Sequence, residues 1–354
     1  MNGKTFFRRT RYISAIVAIC AISSAHGASA ESNDIGYSRT QLNDLTGQIA
    51  SLVDSGDPVA DKISSWYIDE TANRVRVGVS DQAAQKLALF KGRQAGMVDF
   101  FPQEPISLAN KRIPLSEVKK VVKVESASAA SGVQQAPYPS RLLDAAPYSA
   151  GNRTLWYDDQ YLYQCTTAAH SSDLSLLWSA GHCFPTGKEL LQAYYDTAEQ
   201  AVYYTGILGT VRNSSFGSGS DYASITVNPN LKASPDHHVG ASITANQKVF
   251  ETYHSISSRA GDNVCSNGSV TGYKCNARVL ATNICINVEN NVRICGITSA
   301  ETYDGSRLVN HGDSGGPVLI NGTARGAQVT GIISAMGGNN GQTMYYVPTP
   351  GIVS

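Results

Sequence analysis

The sequence predicts an all-β protein of sandwich or barrel type, carried behind a small α+β unit. Three observations predict it. Short β-branched or aromatic runs recur through the second half of the chain, "LLQAYYD", "QAVYYTGILGTV", "YASITV", "NARVLATNICINV", "NVRICGITSA", "GPVLI", "QVTGIISAM" and "TMYYVP", each bounded by Gly, Asn, Ser or Asp turns. Charge thins out along the chain: residues 31–144 carry 27 charged side chains in 114 positions, residues 145–354 only 25 in 210. Between these regions lies "ESASAASGVQQAPYPS", residues 125–140, a nearly uncharged Ala/Ser/Gly/Pro stretch that cannot bury a core.

The amino-terminal thirty residues have a separate character. Lys4, Arg8, Arg9 and Arg11 precede an apolar run from Ile13 to Ile22, and small residues lead to Ala28-Ser29-Ala30. This pattern predicts a secretory signal peptide cleaved after Ala30, since the apolar run is too short to span a bilayer. No later segment is apolar for long enough to cross a membrane, so the processed protein is expected to be soluble, exported and free of the membrane. A net formal charge of zero gives no electrostatic reason to expect nucleic acid as a partner.

Residues 31–144 open with a helical pattern, Leu42, Leu45, Ile49, Leu52 and Val53. A half-buried strand follows, in which Val75, Val77 and Val79 alternate with Arg74, Arg76 and Gly78, and a further helical stretch is expected over Ala83 to Phe90.

Seven cysteines occur, and Cys20 leaves with the signal. The other six fall in neighbouring pairs, Cys165 with Cys183, Cys265 with Cys275, and Cys285 with Cys295. In an oxidising compartment these read as three disulfides, each closing a short loop for about 3 kcal/mol, although six cysteines allow fifteen connectivities. The run "INVENNVRI" reads as a hairpin turning at Glu289-Asn290-Asn291, which sets Cys285 opposite Cys295. A zinc site built from Cys165, His170, His182 and Cys183 fits no common ligand spacing, so neither metal nor cofactor is expected.

The stretch "LVNHGDSGGPVLING" sets Ser314 between glycines. Its G-x-S-x-G pattern also suits an α/β-hydrolase, but that fold needs a histidine after the serine and none follows His311. A serine nucleophile needs a base within hydrogen-bond reach and a third group that holds the base's tautomer. His182, in "LLWSAGHCF", is delivered by an apolar run beside Cys183. His311 is too near Ser314 in sequence to fold back as its base, and His237 and His238 read as a solvated loop. Asp221 opens the alternating run Ala223, Ile225, Val227 and is the best-placed acid.

The pieces "SAGHC", "SSFGSGSDYASITV", "VCSNGSVTGYKC" and "HGDSGGP" resemble the chymotrypsin-like serine proteases, in particular the bacterial secreted branch of the streptogrisins and α-lytic protease. The resemblance covers most of residues 145–350, and "WYIDETANRVRVGV" is similar to the propeptides of that branch. It implies two six-stranded antiparallel β-barrels over residues 145–354, preceded by an α+β propeptide over residues 31–144. It further implies Ser314 as nucleophile, His182 as general base then acid, Asp221 as its orienting group, and the amides of Gly312 and Ser314 as oxyanion donors. Ser334 matches the serine beside the aspartate, and the strand from Ser334 to Met336 would pair with an extended peptide substrate. In the branch an arginine stands where this chain has Ser266, so Asp313 lacks its usual partner, and no Ile-Val-Gly-Gly-type start is present to supply one.

The implied specificity pocket draws on Leu308, Val309, Asn310, His311, Met336 and Thr343. With no carboxylate among them it favours an apolar side chain before the cut, and His311 makes an acidic one the second choice. The propeptide is expected to assist folding, to cover the cleft and to be removed near the linker or just before "APYSAGN". The competing reading is an inactive protease-like barrel that serves as a secreted binding module.

Overall fold

The computed structural model describes residues 36–124, 140–144, 146–217, 220–230, 233–240, 247–250, 256–323, 326–338 and 340–349. The expected signal peptide and nearly all of the uncharged linker lie outside these residues.

Six strands, Arg153–Tyr157, Tyr161–Thr166, Leu176–Ser179, Glu189–Asp196, Ala201–Gly217 and Ser220–Val227, form the first barrel. Backbone bonds between Trp178 and both Ala168 and Ala169 close it, at 2.7 and 2.8 Å. Alternation fixes what faces inward: Leu177, Leu190, Val211, Ala223 and Ile225 are fully buried in one cluster with Phe184 and Leu208. Six more strands, Asn263–Gly268, Gly272–Val288, Val292–Thr302, Pro317–Thr323, Gly326–Gly337 and Thr343–Pro348, form the second. Here the Asn263–Gly268 strand pairs with both the Gly272–Val288 and Pro317–Thr323 strands, which closes the ring. The architecture is the chymotrypsin-like pair of antiparallel barrels.

The expected hairpin at Glu289–Asn291 is a single 3-10 turn between two strands of the second barrel. The structure joins Cys165 to Cys183, Cys265 to Cys275 and Cys285 to Cys295.

In the upstream region a helix, Arg39–Asp54, begins with a capping box in which the Ser38 side chain accepts from the Gln41 amide and the Gln41 side chain accepts from the Ser38 amide. It buries Leu42, Leu45, Ile49 and Val53 against the strands Ile63–Asp69 and Arg74–Val79. These strands extend the second barrel's sheet, with Ser65 opposite Ile286 and Trp66 opposite Cys285. Over Ala83 to Phe90 the structure departs from the expected helix and forms two short 3-10 turns, Gln82–Lys86 and Ala88–Phe90. The apolar positions Ala84, Leu87 and Phe90 recur every third residue across the two turns and the extended residue that joins them, and all three face one core.

Two further segments upstream of residue 145 are joined to the barrels. Arg141 and Asp144, upstream of the expected barrel boundary at 145, are fully buried in the body of the barrels. Residues 106–124 are spread across both barrels: Ser107–Leu108 pairs with the Gly326–Gly337 strand, Lys111–Pro114 with Tyr161–Thr166, and Lys120–Lys123 with Ala201–Gly217.

Candidate active site

The side chains of His182, Asp221 and Ser314 meet where the two barrels face each other. His182 sits on the 3-10 turn Gly181–Cys183, just past the Leu176–Ser179 strand, with Cys183 bonded to Cys165 behind it. Asp221 is the second residue of the Ser220–Val227 strand and is fully buried. One of its oxygens, Oδ1, accepts from the His182 backbone amide at 2.8 Å, and the other, Oδ2, lies 2.8 Å from His182 Nδ1. The Ser334 hydroxyl donates to that second oxygen. Burial alone would raise the Asp221 pKa, but the His182 ring, its backbone N–H and the Ser334 hydroxyl outweigh burial and hold it below the ordinary carboxylate range. An ionised Asp221 accepts only, so Nδ1 carries the ring proton and Nε2 is free to accept. Nε2 lies 2.8 Å from Ser314 Oγ.

Gly312 and Gly315 take the left-handed backbone, with φ of 102° and 84°, around the serine. This bend turns the amides of Gly312 and Ser314 toward one point, and a carbonyl oxygen occupies it. That oxygen belongs to Ala109, 2.5 Å from the Gly312 nitrogen and 3.1 Å from the Ser314 nitrogen.

Asp313 finds partners that the sequence did not reveal. Its carboxylate accepts from the amides of Val270, Thr271 and Asn310 and from the Thr271 hydroxyl, at 2.7–3.2 Å. Burial raises its pKa against these donors. Two buried guanidinium groups, Arg141 and Arg153, lie within its field; burial lowers each to about 10, with Asp313 pulling the other way. Arg141 donates to Asn267 Oδ1 and to the carbonyls of Gly268, His238 and Gly240, at 2.7–3.2 Å.

Among the expected pocket residues, Leu308 and Val309 are fully buried and both their amides reach the Gly341 carbonyl. Met336 packs against the cluster they form with Met344 and Tyr346. Thr343 pairs with Gly337. His311 stands elsewhere: it is exposed, and its Nδ1 lies 3.1 Å from the Asn110 carbonyl, one residue beyond Ala109. Cys165 and Cys183, weighed as zinc ligands, are bonded to each other and offer no thiolate. His170 and His237 are buried, their rings in edge contact, and so is His238, 3.4 Å from Asp144. All three belong to the interior, and for His237 and His238 this overturns the expected solvated loop.

Paired barrels that bring a serine, a histidine and an acid to their interface define the class of serine peptidases, whose substrates are peptides. The family model for trypsin matches residues 147–352, more than half of the sequence, and the chain belongs to that family. No curated protein matches it. Similar solved structures include Thermobifida fusca protease A, 20% identical over 57% of this chain and 92% of that one, with a TM-score of 0.43. A glutamic acid specific serine protease that uses a histidine triad in substrate binding is 15% identical over 57% and 94%, with a TM-score of 0.43. A Nocardiopsis protease is 21% identical over 53% and 88%, with a TM-score of 0.40. Among the described residues no helix is long and apolar enough to cross a membrane.

Proposed function

We propose that this chain is a secreted serine endopeptidase of the bacterial streptogrisin and α-lytic protease branch, made as a precursor and processed by its own active site. Ser314 attacks the scissile carbonyl while His182 takes its proton. Asp221 holds the ring in the required tautomer and stabilises the imidazolium. The amides of Gly312 and Ser314 bind the oxyanion, each such donor contributing roughly 3 kcal/mol in the transition state. His182 then gives its proton to the leaving amine, and water completes the cycle through the same base. No cofactor is required by this chemistry.

The observation that carries the reading is the unbroken chain of contacts from Asp221 through His182 to Ser314, ending beside a carbonyl held by two amides. The motif resemblance supports the branch, and the three disulfides and the amino-terminal pattern support secretion. A propeptide role for the region upstream of the barrels draws support from the passage of residues 106–114 through the cleft. The expected processing sites in the linker lie outside the described residues, apart from the residues adjoining "APYSAGN".

The test is hydrolysis of casein by the secreted protein, together with covalent modification of Ser314 by a fluorophosphonate. Wild type is expected to hydrolyse casein and to gain the phosphonyl mass on Ser314, and Ser314→Ala to do neither. A secreted, well-folded wild-type protein that does neither would instead be the inactive binding barrel.

A further inference from the structure

Building on the endopeptidase reading above, we propose that the bond this site cuts in its own chain is the one between Ala109 and Asn110. We further propose that Ile106 to Ala109 spell out its preferred substrate: extended, with a small apolar side chain just before the cut and larger apolar ones two and four residues before it.

The chain passes through the cleft as a substrate would. Upstream of the bond, Ser107 and Leu108 pair antiparallel with Met336 and Ala335, and the Ala109 amide donates to the Ser334 carbonyl at 3.2 Å. The Ala109 carbonyl then lies between the Gly312 and Ser314 amides. Downstream, Lys111 to Pro114 pair antiparallel with Gln164 to Tyr161, on the other barrel, and His311 holds the Asn110 carbonyl. One peptide bond is therefore fixed from both sides, with its carbonyl oxygen on the backbone amide of the nucleophile's own residue, and such positioning makes an attack effectively unimolecular.

The side chains give the substrate class. Ala109 is fully buried among Leu308, Val309, Met344 and Tyr346, a cluster that holds its methyl group. Leu108 and Ile106 point the other way and are buried against Ala335, Tyr345 and Val347. Ser107, between them, is only half-buried.

Attack by Ser314 Oγ on the Ala109 carbonyl carbon sends the hydroxyl proton to His182 Nε2. Collapse of the tetrahedral state breaks the bond to the Asn110 nitrogen, which takes the proton from His182 and leaves as an amine. The Ser314 ester of Ala109 is then hydrolysed by one water, giving the Ala109 carboxylate and the free serine hydroxyl.

This bond, rather than one near residue 144, fits the burial pattern. A cut just before "APYSAGN" would free Arg141 and Asp144 to leave, although Arg141 is locked inside the barrels by the bonds described above and Asp144 Oδ2 accepts from the Ser149 amide and the Asn152 side chain, both at 2.8 Å. Residues 110–124 also pack on the first barrel: Ile113 is buried with Leu155, Leu162 and Val202 in a second cluster, on the opposite face of the strands from the barrel's interior, and Leu115 and Val118 pack against that cluster. The new amine at Asn110 therefore stays beside the ester, where it can re-form the bond in competition with water. Upstream, the Ser65–Trp66 pairing on the second barrel keeps the Ala109 end in place. The first product is then a nicked complex that still covers its own cleft.

The full chain and its Ser314→Ala variant, secreted from a host lacking other extracellular proteases, test this by amino-terminal sequencing and intact mass. Wild type is expected to yield a fragment beginning Asn-Lys-Arg-Ile that co-elutes with the upstream fragment under native conditions, and Ser314→Ala a single chain across this bond. Casein hydrolysis by the same preparation separates the two readings. Casein cut with the Ala109–Asn110 bond intact overturns this proposal and leaves the endopeptidase standing; a folded protein that cuts neither overturns both. Should the variant fail to fold, the peptide Ile-Ser-Leu-Ala-Asn-Lys-Arg supplied to active wild type is expected to be cut after alanine at least ~100-fold faster than one with arginine in place of the alanine. Equal rates, or a preference for arginine, overturn the substrate assignment.

Discussion

Ser334 and His182 converge on a single oxygen of Asp221: the ring Nδ1 lies 2.8 Å from Oδ2, and the Ser334 hydroxyl donates to the same atom. Both hydrogen bonds require a carboxylate that only accepts. In Asp221→Asn the new amide can donate toward Nδ1, which moves the ring proton to Nε2 and leaves no acceptor for Ser314. We predict a fall in kcat of about 10⁴-fold with little change in KM. Ser334→Ala removes one donor and keeps the backbone carbonyl, so its expected loss is about tenfold. Steady-state kinetics on a peptide ester check both.

Acid sensitivity should trace to Asp144. Burial alone would raise its pKa, but His238, Lys248, the Ser149 amide and the Asn152 side chain surround it and bring it down to about 2. Because the folded value lies below the unfolded one, its contribution is fully present above about pH 4 and is lost as the pH falls toward 2. Asp144→Asn should cost about 2 kcal/mol at pH 7, and its difference from wild type should shrink toward zero near pH 2. Urea midpoints measured across that range give the comparison.

Much of this was legible in the sequence because it rests on local pattern. Alternation marked the strand around Val75, Val77 and Val79, and the apolar run before His182 marked the strand end that presents it. What escaped depends on contacts between distant segments. Residues 106–114 bind through backbone groups to two strands of different barrels, and backbone pairing of that kind leaves no periodic trace in "ISLANKRIP". Arg141 carries no mark of burial in the sequence around it, since the carbonyls that hold it come from residues 238, 240 and 268. Over Ala83 to Phe90 a spacing of three fits both the helical and the 3-10 period in so short a run, so the pattern alone points to a helix where the chain forms 3-10 turns.

The disulfides separate stability from catalysis. Cys165–Cys183 ties the Tyr161–Thr166 strand to the turn that carries His182, whereas Cys285–Cys295 links two strands of the second barrel where the upstream strands join its sheet. Replacing either pair with alanines should cost about 3 kcal/mol by chain entropy. Only the first replacement should also lower kcat, by about tenfold or more, as the His182 turn loosens. Turnover of the same peptide ester at 25 °C, read beside the denaturant midpoint, distinguishes the two; equal effects on kcat would refute the assignment.

Gly268 gives the sharpest test of how the oxyanion donors are held. A Cβ there would lie 2.0 Å from Asp313 Oδ1 and 2.1 Å from its Cγ, so Gly268→Ala must displace the carboxylate. That carboxylate gathers the amides of Val270, Thr271 and Asn310, and its own backbone runs directly between Gly312 and Ser314. Shifting it misaims the two N–H groups that receive the developing negative charge, a loss comparable to removing one such donor. We predict a fall in kcat of about 100-fold, measured well below the unfolding temperature so that overpacking alone does not account for it. Gly47→Ala, on the upstream helix with nothing within 4 Å of the new methyl, serves as the control and should leave kcat unchanged. If Gly268→Ala kept full turnover while losing stability, Asp313 would be a packing residue and the loop would hold its amides by other means.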